Sequence, residues 1–224
     1  MHFHHGKQPK AALSIQIDNL DVEEKNTVKY LGTLIDNKLT WKPHIQHIKT
    51  KLSRAIGVLS KIRYFSTKNV LLNMYYSFVQ SHISYNLLNW SCANTTAINP
   101  LRNCIKKVVR IIQFKNKYEH TLPIFKELNI LPLDAQIKHK QAMFMWKLSN
   151  NLIPLPVSNL FNQINNNQNN KYKLPNPKSE FGKRLVNYSC VKVWNSEVPL
   201  QLKTLTGQNN FNLKYKEHLL NLLN

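Results

Sequence analysis

The pattern of apolar and polar positions changes period along the chain. Ala12 to Asp18 alternates apolar with polar, which predicts a strand, and Asn19-Leu20-Asp21 supplies a turn after it. An acidic stretch at Asp21, Glu23 and Glu24 leads into Val28-Lys29-Tyr30-Leu31-Gly32-Thr33-Leu34-Ile35-Asp36, a second β-rich run. A glycine inside such a run reads as a bulge or a close backbone approach by another chain. Asp36-Asn37 then opens a turn toward Trp41.

From His44 the period becomes helical. Ile45, Ile48, Leu52, Ile56, Leu59 and Ile62 fall three and four apart and form one apolar stripe, with Lys51, Arg54 and Lys61 on the opposite side. A second helix is expected from a Ser66 or Thr67 cap, with Val70, Leu71, Met74, Tyr75, Phe78 and Val79 inward. His82 to Trp90 stays apolar and aromatic, and Asn94-Thr95-Thr96 interrupts it. A third helix is placed with Pro100 in its first turn. Its stripe is Leu101, Cys104, Ile105, Val108 and Ile112, with Arg102, Lys106, Lys107 and Arg110 around the rest.

Pro123 and Pro132 bracket a short helical turn from Ile124 to Leu128. A longer helix is expected from Asp134 to Ser149, with Ile137, Phe144, Met145 and Leu148 inward and Trp146 lateral. Pro154 and Pro156 end it. Asn162 to Asn170 is almost entirely Asn and Gln, a polar low-complexity segment. Lys171 to Pro177 reads as extended, and Phe211 to Leu220 as a closing amphipathic helix. The expected fold is mainly α (α+β): a β-rich unit over 1–42, a helical body over 43–160, an Asn/Gln-rich linker over 161–177 and a C-terminal tail over 178–224.

Composition narrows the function. In 224 residues, 31 Lys and Arg stand against 11 acidic residues, a formal net charge of +20. That self-repulsion points to a polyanionic partner, and nucleic acid suits it best. A membrane surface suits it less, because no segment joins a broad apolar face to an aromatic interfacial edge. The plainer account is a Lys/Asn-rich composition without a partner. The cysteines Cys92, Cys104 and Cys190 are widely spaced and make neither a disulfide framework nor a zinc pattern, which suits a reducing compartment. His2, His4 and His5 lie at the N-terminus with no cysteine near them. Neither a signal-peptide core nor an apolar run long enough for a membrane helix is evident, so an intracellular site, nucleus or cytoplasm, is expected.

Candidate chemistry is sparse. The carboxylates are scattered, and no Asp-Asp or D-x-D spacing is present to hold two catalytic metal ions. Asp18 and Asp21 are the nearest pair and flank a turn. The chain has no G-x-S-x-G elbow, Walker loop or H-E-x-x-H motif. A Cys–His nucleophile is singled out by nothing in the spacing. The faces Lys51, Arg54, Lys61 and Lys106, Lys107, Arg110 could each track a phosphate backbone, or each be a solvated helix surface. Tyr75, Tyr76, Tyr85 and Trp90 could stack bases, although their spacing fits a core better. The chain also lacks the sequence pattern of a base-reading module.

The order of motifs resembles a known family. Val28 to Asp36, followed by Leu39-Thr40-Trp41-Lys42-Pro43-His44-Ile45, resembles the region after the catalytic palm of non-LTR (LINE, jockey-like) retrotransposon reverse transcriptases. The likeness continues through Leu59-Ser60-Lys61-Ile62-Arg63, Leu71 to Tyr76, Ser84-Tyr85 with Trp90, and Cys104 to Ile112. It reaches His120 to Leu128, Ile130-Leu131-Pro132, Phe181-Gly182-Lys183 and Val193-Trp194-Asn195. The resemblance implies that Tyr30, Leu31 and Gly32 lie at a palm edge near the primer end. It also implies that the helices after His44 form a thumb that holds an RNA–DNA or DNA duplex through its backbone, with Arg63 among the contacts. The catalytic Phe-Ala-Asp-Asp-type motif, the fingers and the zinc knuckle of some relatives are absent. The chain alone is therefore expected to be non-catalytic and to need no cofactor, Mg2+ belonging to the parent polymerase with its palm and fingers. The alternative is an inert or repurposed protein-interaction module.

Overall fold

In the computed structural model the described residues are 1, 3, 15–164 and 170–223. The first predicted strand falls partly outside them, at 12–14, as do His2, His4, His5 and the centre of the Asn/Gln-rich segment, 165–169. The described chain is mainly helical with two small antiparallel hairpins. These are β1 (Gln16–Ile17) with β2 (Leu20–Asp21), and β3 (Thr27–Tyr30) with β4 (Thr33–Asp36).

The run Val28–Asp36 is not one strand. It folds back at Leu31-Gly32, pairing Tyr30 with Thr33 and Thr27 with Asp36. Both turn residues have positive φ, 45° at Leu31 and 78° at Gly32. That is the backbone of the primed two-residue turns, whose twist matches the flanking strands. Leucine rarely adopts it, which is why alternation alone read through the turn.

The loop into the first helix is organised by Asp36. Its buried carboxylate accepts from the Thr40 amide and hydroxyl, both at 2.9 Å, and from the Trp41 amide at 2.8 Å. Those bonds hold two non-glycine residues, Leu39 and Trp41, at φ 50° and 63°. Helix α1 (Lys42–Ile62) follows with Pro43 in its first turn. The predicted stripe is its buried face, with Ile62 half-buried at the end.

Helix α2 (Lys68–Tyr75) runs into a π-helical turn at Tyr76–Gln80, then the short α3 (Ser81–Ser84) and α4 (Leu87–Trp90). The buried set is Leu71, Tyr75, Val79, Ile83 and Leu87, every fourth residue. Four-residue spacing drifts around a 3.6-residue helix, and the wider i→i+5 turn cancels that drift. Phe78, expected inside, is therefore exposed, and Val70, also expected inside, is exposed because it lies 100° around α2 from the buried Leu71.

Helix α5 (Thr95–Ile112) starts five residues before Pro100, not at it. The polar Asn94-Thr95-Thr96 stretch is the helix start rather than a break. Asn94 supplies extended backbone before it (φ −60°, ψ 145°). The stripe Leu101, Ile105, Val108, Ile112 is buried as expected and packs on α1. Helix α6 (Leu122–Glu127) completes the first core.

Helix α7 (Leu133–Ser149) is buried on more than one side. It closes the first core with Leu133 and contributes Ala142, Met145, Trp146 and Leu148 to a second. Trp146 is a core residue, its indole N–H donating to the Leu205 carbonyl at 3.1 Å. Arg102 on α5 binds Asp134 on α7 through Nε and Nη2, at 2.9 and 2.6 Å, tying α5 to the start of α7.

The second core is completed by α9 (Val186–Ser196), which the sequence pattern did not reveal, and α11 (Gln208–Asn221), with the short α8 (Leu155–Ser158) and α10 (Leu200–Lys203) beside them. The ends of the Asn/Gln-rich segment meet, Ile164 N donating to Lys171 O at 3.0 Å and Lys173 N to Asn162 O at 2.8 Å. Asn195 then clamps the Tyr172 backbone, accepting at 3.2 Å and donating at 2.7 Å.

Candidate nucleic-acid interface

The predicted hairpin residues sit at an exposed tip. Tyr30 and Leu31 are solvent-facing, 64% and 73% exposed. The close approach at Gly32 comes from within the chain: a Cβ there would meet the Tyr85 ring at 3.7 Å. The Tyr85 hydroxyl donates to the Leu31 carbonyl, and Asn86 Nδ2 donates to Thr33 Oγ1 at 3.0 Å. Gly32 thus serves a tight turn against a tyrosine ring rather than a mid-strand bulge.

Lys51 and Arg54 lie on one flank of α1 in a common field with His47. Burial lowers the His47 pKa first, and Lys51, Lys29 and Arg54 lower it further. His82 on α3 is lowered by burial, then by Lys51 and His47. Lys29, His47, Lys51, Arg54 and His82 therefore form one electropositive cluster across β3, α1 and α3. Lys61 is exposed farther along the same helix flank.

The α5 residues separate. Lys107 faces Lys49 across a groove between α1 and α5, with Cys104 between them. Lys106 turns toward the other flank of the helix, one residue being 100° of rotation. Arg110 spends its Nε on the Glu119 carbonyl, at 2.9 Å, holding the loop after α5. Arg63, at the end of α1, lies over two rings, 5.3 Å from the Phe114 centroid and 5.6 Å from Tyr64.

Sequence reading missed Lys29, His47, His82 and Lys49. His47 was legible in principle, since positions 47, 51 and 54 make a four- and three-residue stripe. Lys29 and His82 join only through the tertiary fold. Among the proposed stacking residues, Tyr75 and Trp90 are core. Their polar atoms are used internally, Tyr75 OH on Gln80 Oε1 at 2.7 Å and Trp90 Nε1 on Tyr85 O at 3.0 Å. Tyr76 and Tyr85 are about half exposed.

Nucleophilic chemistry finds no support at the thiols. Burial raises the pKa of Cys92 and Cys104, and pushes Cys190 up to about 12, so none is a ready thiolate. Among the described residues no group of three His, Cys, Asp or Glu side chains is placed to hold a metal ion. Asp21, the partner of Asp18 in the candidate metal pair, accepts from Gln16 Nε2 at 2.8 Å in its own hairpin. No helix among the described residues is long and apolar enough to cross a membrane.

Comparison with known proteins finds a distant likeness. The chain is 23% identical over 134 residues to a Drosophila melanogaster protein named "Probable RNA-directed DNA polymerase from transposon X-element". That similarity supports a reverse-transcriptase-like relationship. It covers 58% of this chain and 15% of the fly protein. No protein-family model matches the chain, and no solved structure matches it.

Proposed function

We propose that this chain is a non-catalytic, post-palm segment of the RNA-directed DNA polymerase of a non-LTR mobile element, holding a primer–template duplex by its phosphate backbone. The observation that carries this reading is the basic flank of α1, where Lys51, Arg54 and Lys61 fall on one side of the helix and His47 and His82 lie in the field of Lys51, His47 also in that of Lys29 and Arg54. Flexible ammonium groups and a guanidinium fork neutralise phosphates without reading bases. Tyr30 and Leu31 project from the turn that follows Lys29. In the parent polymerase, holding the duplex would serve the placement of a primer end; the palm, the fingers and Mg2+ would belong to the rest of that enzyme.

The test is affinity for a labelled RNA–DNA duplex at 50 and 200 mM salt. Neutralising three phosphates should weaken binding ~40-fold across that range, because counterions are released on binding. A flat response, or no binding at low salt, overturns the reading.

A second reading has one observation in its favour. Tyr30 and Leu31 expose apolar surface at the hairpin tip, and Leu34 and Ile35 are only half-buried. A protein-interaction module would use that surface. It predicts salt-insensitive association, which sedimentation of the chain at both salt concentrations detects.

A further inference from the structure

We infer that the C-terminal ends of α1 and α5 form a second nucleic-acid site, which takes an unpaired single strand by stacking its bases. The inference rests on the nucleic-acid reading above and names a distinct surface and a distinct substrate form.

The site consists of rings that the fold leaves outside. Tyr64 is 77% exposed, Phe65 92%, Tyr118 86% and Phe114 49%. They come from two separate loops, and the α1 and α5 ends meet through Arg63, which lies over both Tyr64 and Phe114; Phe65 follows Tyr64 directly, and Tyr118 lies four residues after Phe114. An exposed phenylalanine costs favourable burial, and clustered aromatic exposure marks an interaction surface. Their neighbours identify the partner. Lys117 lies 5.5 Å from the Tyr118 ring centroid, Arg63 lies over Tyr64 and Phe114, and Lys115 directly follows Phe114 in the chain. The acidic Glu119 is held by Lys115 at 2.7 Å. Rings interleaved with cations suit a flexible polyanion that also carries π-faces.

The backbone supplies a second observation. Helix α5 ends with Lys115 N donating to Arg110 O at 2.9 Å, a six-to-one closure around Phe114. Phe114 occupies the left-handed position of that closure, φ 55°, which glycine ordinarily fills. A bulky side chain in this strained conformation points to a use for the ring. Arg63 also carries a buried Nε with no hydrogen-bond partner, so it is set there by stacking rather than by an ion pair. A duplex hides its base faces, whereas a single strand offers them.

The experiment uses the full chain and three probes: fluorescent oligo-dT, oligo-U and an RNA–DNA duplex. The exposed rings are removed in F65S/Y118S, and F114G removes the strained ring while relieving its backbone. Each variant should bind a single strand at least ~5-fold more weakly, since stacking on one aromatic ring is worth about 1–3 kcal/mol. Duplex affinity should stay within about twofold. F114G should also melt no lower than the parent chain, which a merely structural role for the ring would not allow. Photocrosslinks from the single strand should map to residues 64–65 or 114–118. Either oligo-dT or oligo-U binding supports the site; wild-type failure to bind both overturns it. Unchanged single-strand affinity in both variants overturns it as well, as does equal loss on strand and duplex. Failure of the wild-type chain to bind the duplex alone would sink the duplex-holding role and leave this site standing.

Discussion

The hydroxyl of Tyr85 donates to the backbone carbonyl of Leu31, so the tip of the β3–β4 hairpin is pinned to the chain between α3 and α4. Leu31 is in the left-handed region, where its own backbone preference opposes the turn. Tyr85→Phe is predicted to remove about 1 kcal/mol of local stabilisation, typical of one hydrogen bond. The amides of 28–35 should exchange faster while the α1 amides keep their protection. Unchanged hairpin protection in native-state hydrogen exchange would show that Asn86 and strand pairing suffice.

Asp36 is predicted to be among the most sensitive polar positions. The residue is 7% exposed, and its carboxylate satisfies two amides and one hydroxyl at once. Asp36→Ala strands those donors and frees Leu39 and Trp41 from their unfavourable φ, a loss of roughly 2–4 kcal/mol. Chemical denaturation should show the shift in midpoint. A loss below about 0.5 kcal/mol would mean that water replaces the carboxylate without penalty.

How far this fold is legible depends on whether an element has one buried face. In α1 and α5 the stripes beginning at Ile45 and Leu101 are buried against each other, so period alone finds them. Helix α7 meets two cores, and its apolar residues surround it; Trp146 then looks lateral although it is buried. The π turn at Tyr76–Gln80 alters which residues share a face, and Phe78, which a 3.6-residue count places beside Leu71, is exposed. Leu31 and Phe114 adopt glycine-like φ values that no propensity assigns to them. Of the basic positions, Lys51 and Arg54 were visible on one helix. Their neighbours Lys29 and His82 enter only through the packing of β3 and α3.

Acid is predicted to destabilise the chain from below neutral pH. His44 is buried against Trp41 and Trp90, with Nδ1 accepting from the Leu34 amide at 3.4 Å and Nε2 unpartnered. Burial lowers its pKa, and His47 and Lys51 add to the effect. His139 is lowered by burial too, against a hydrogen bond to the Asn212 carbonyl that raises it. The unfolded chain therefore binds more protons than the native one below pH ~6.5. Stability is complete above that pH and falls as pH drops through the depressed native values, by at most ~1.4 kcal/mol per pH unit for each histidine. Melting temperature should fall between pH 7.5 and 5.5, and His44→Gln should reduce that fall. An identical acid dependence in the variant would assign the effect to other groups.

The basic cluster makes a prediction that separates its members from the other cations. Lys51 and Arg54 act together on His47, whereas Lys106 is on a flank of α5 away from Lys107 and Lys49. Charge reversal at both cluster positions, K51E/R54E, should cut duplex affinity by more than tenfold at 50 mM salt. It should also reduce the salt slope by about 0.9 for each phosphate that is no longer neutralised. K106E changes net charge in the same direction, but it should lower affinity only a few-fold and leave the slope nearly unchanged. The two variants differ by one charge reversal, so comparison per reversed charge isolates placement from total charge. Titrations across four salt concentrations measure both quantities. Equal effects per charge would mean that the duplex responds to the overall +20 of the chain and not to this surface.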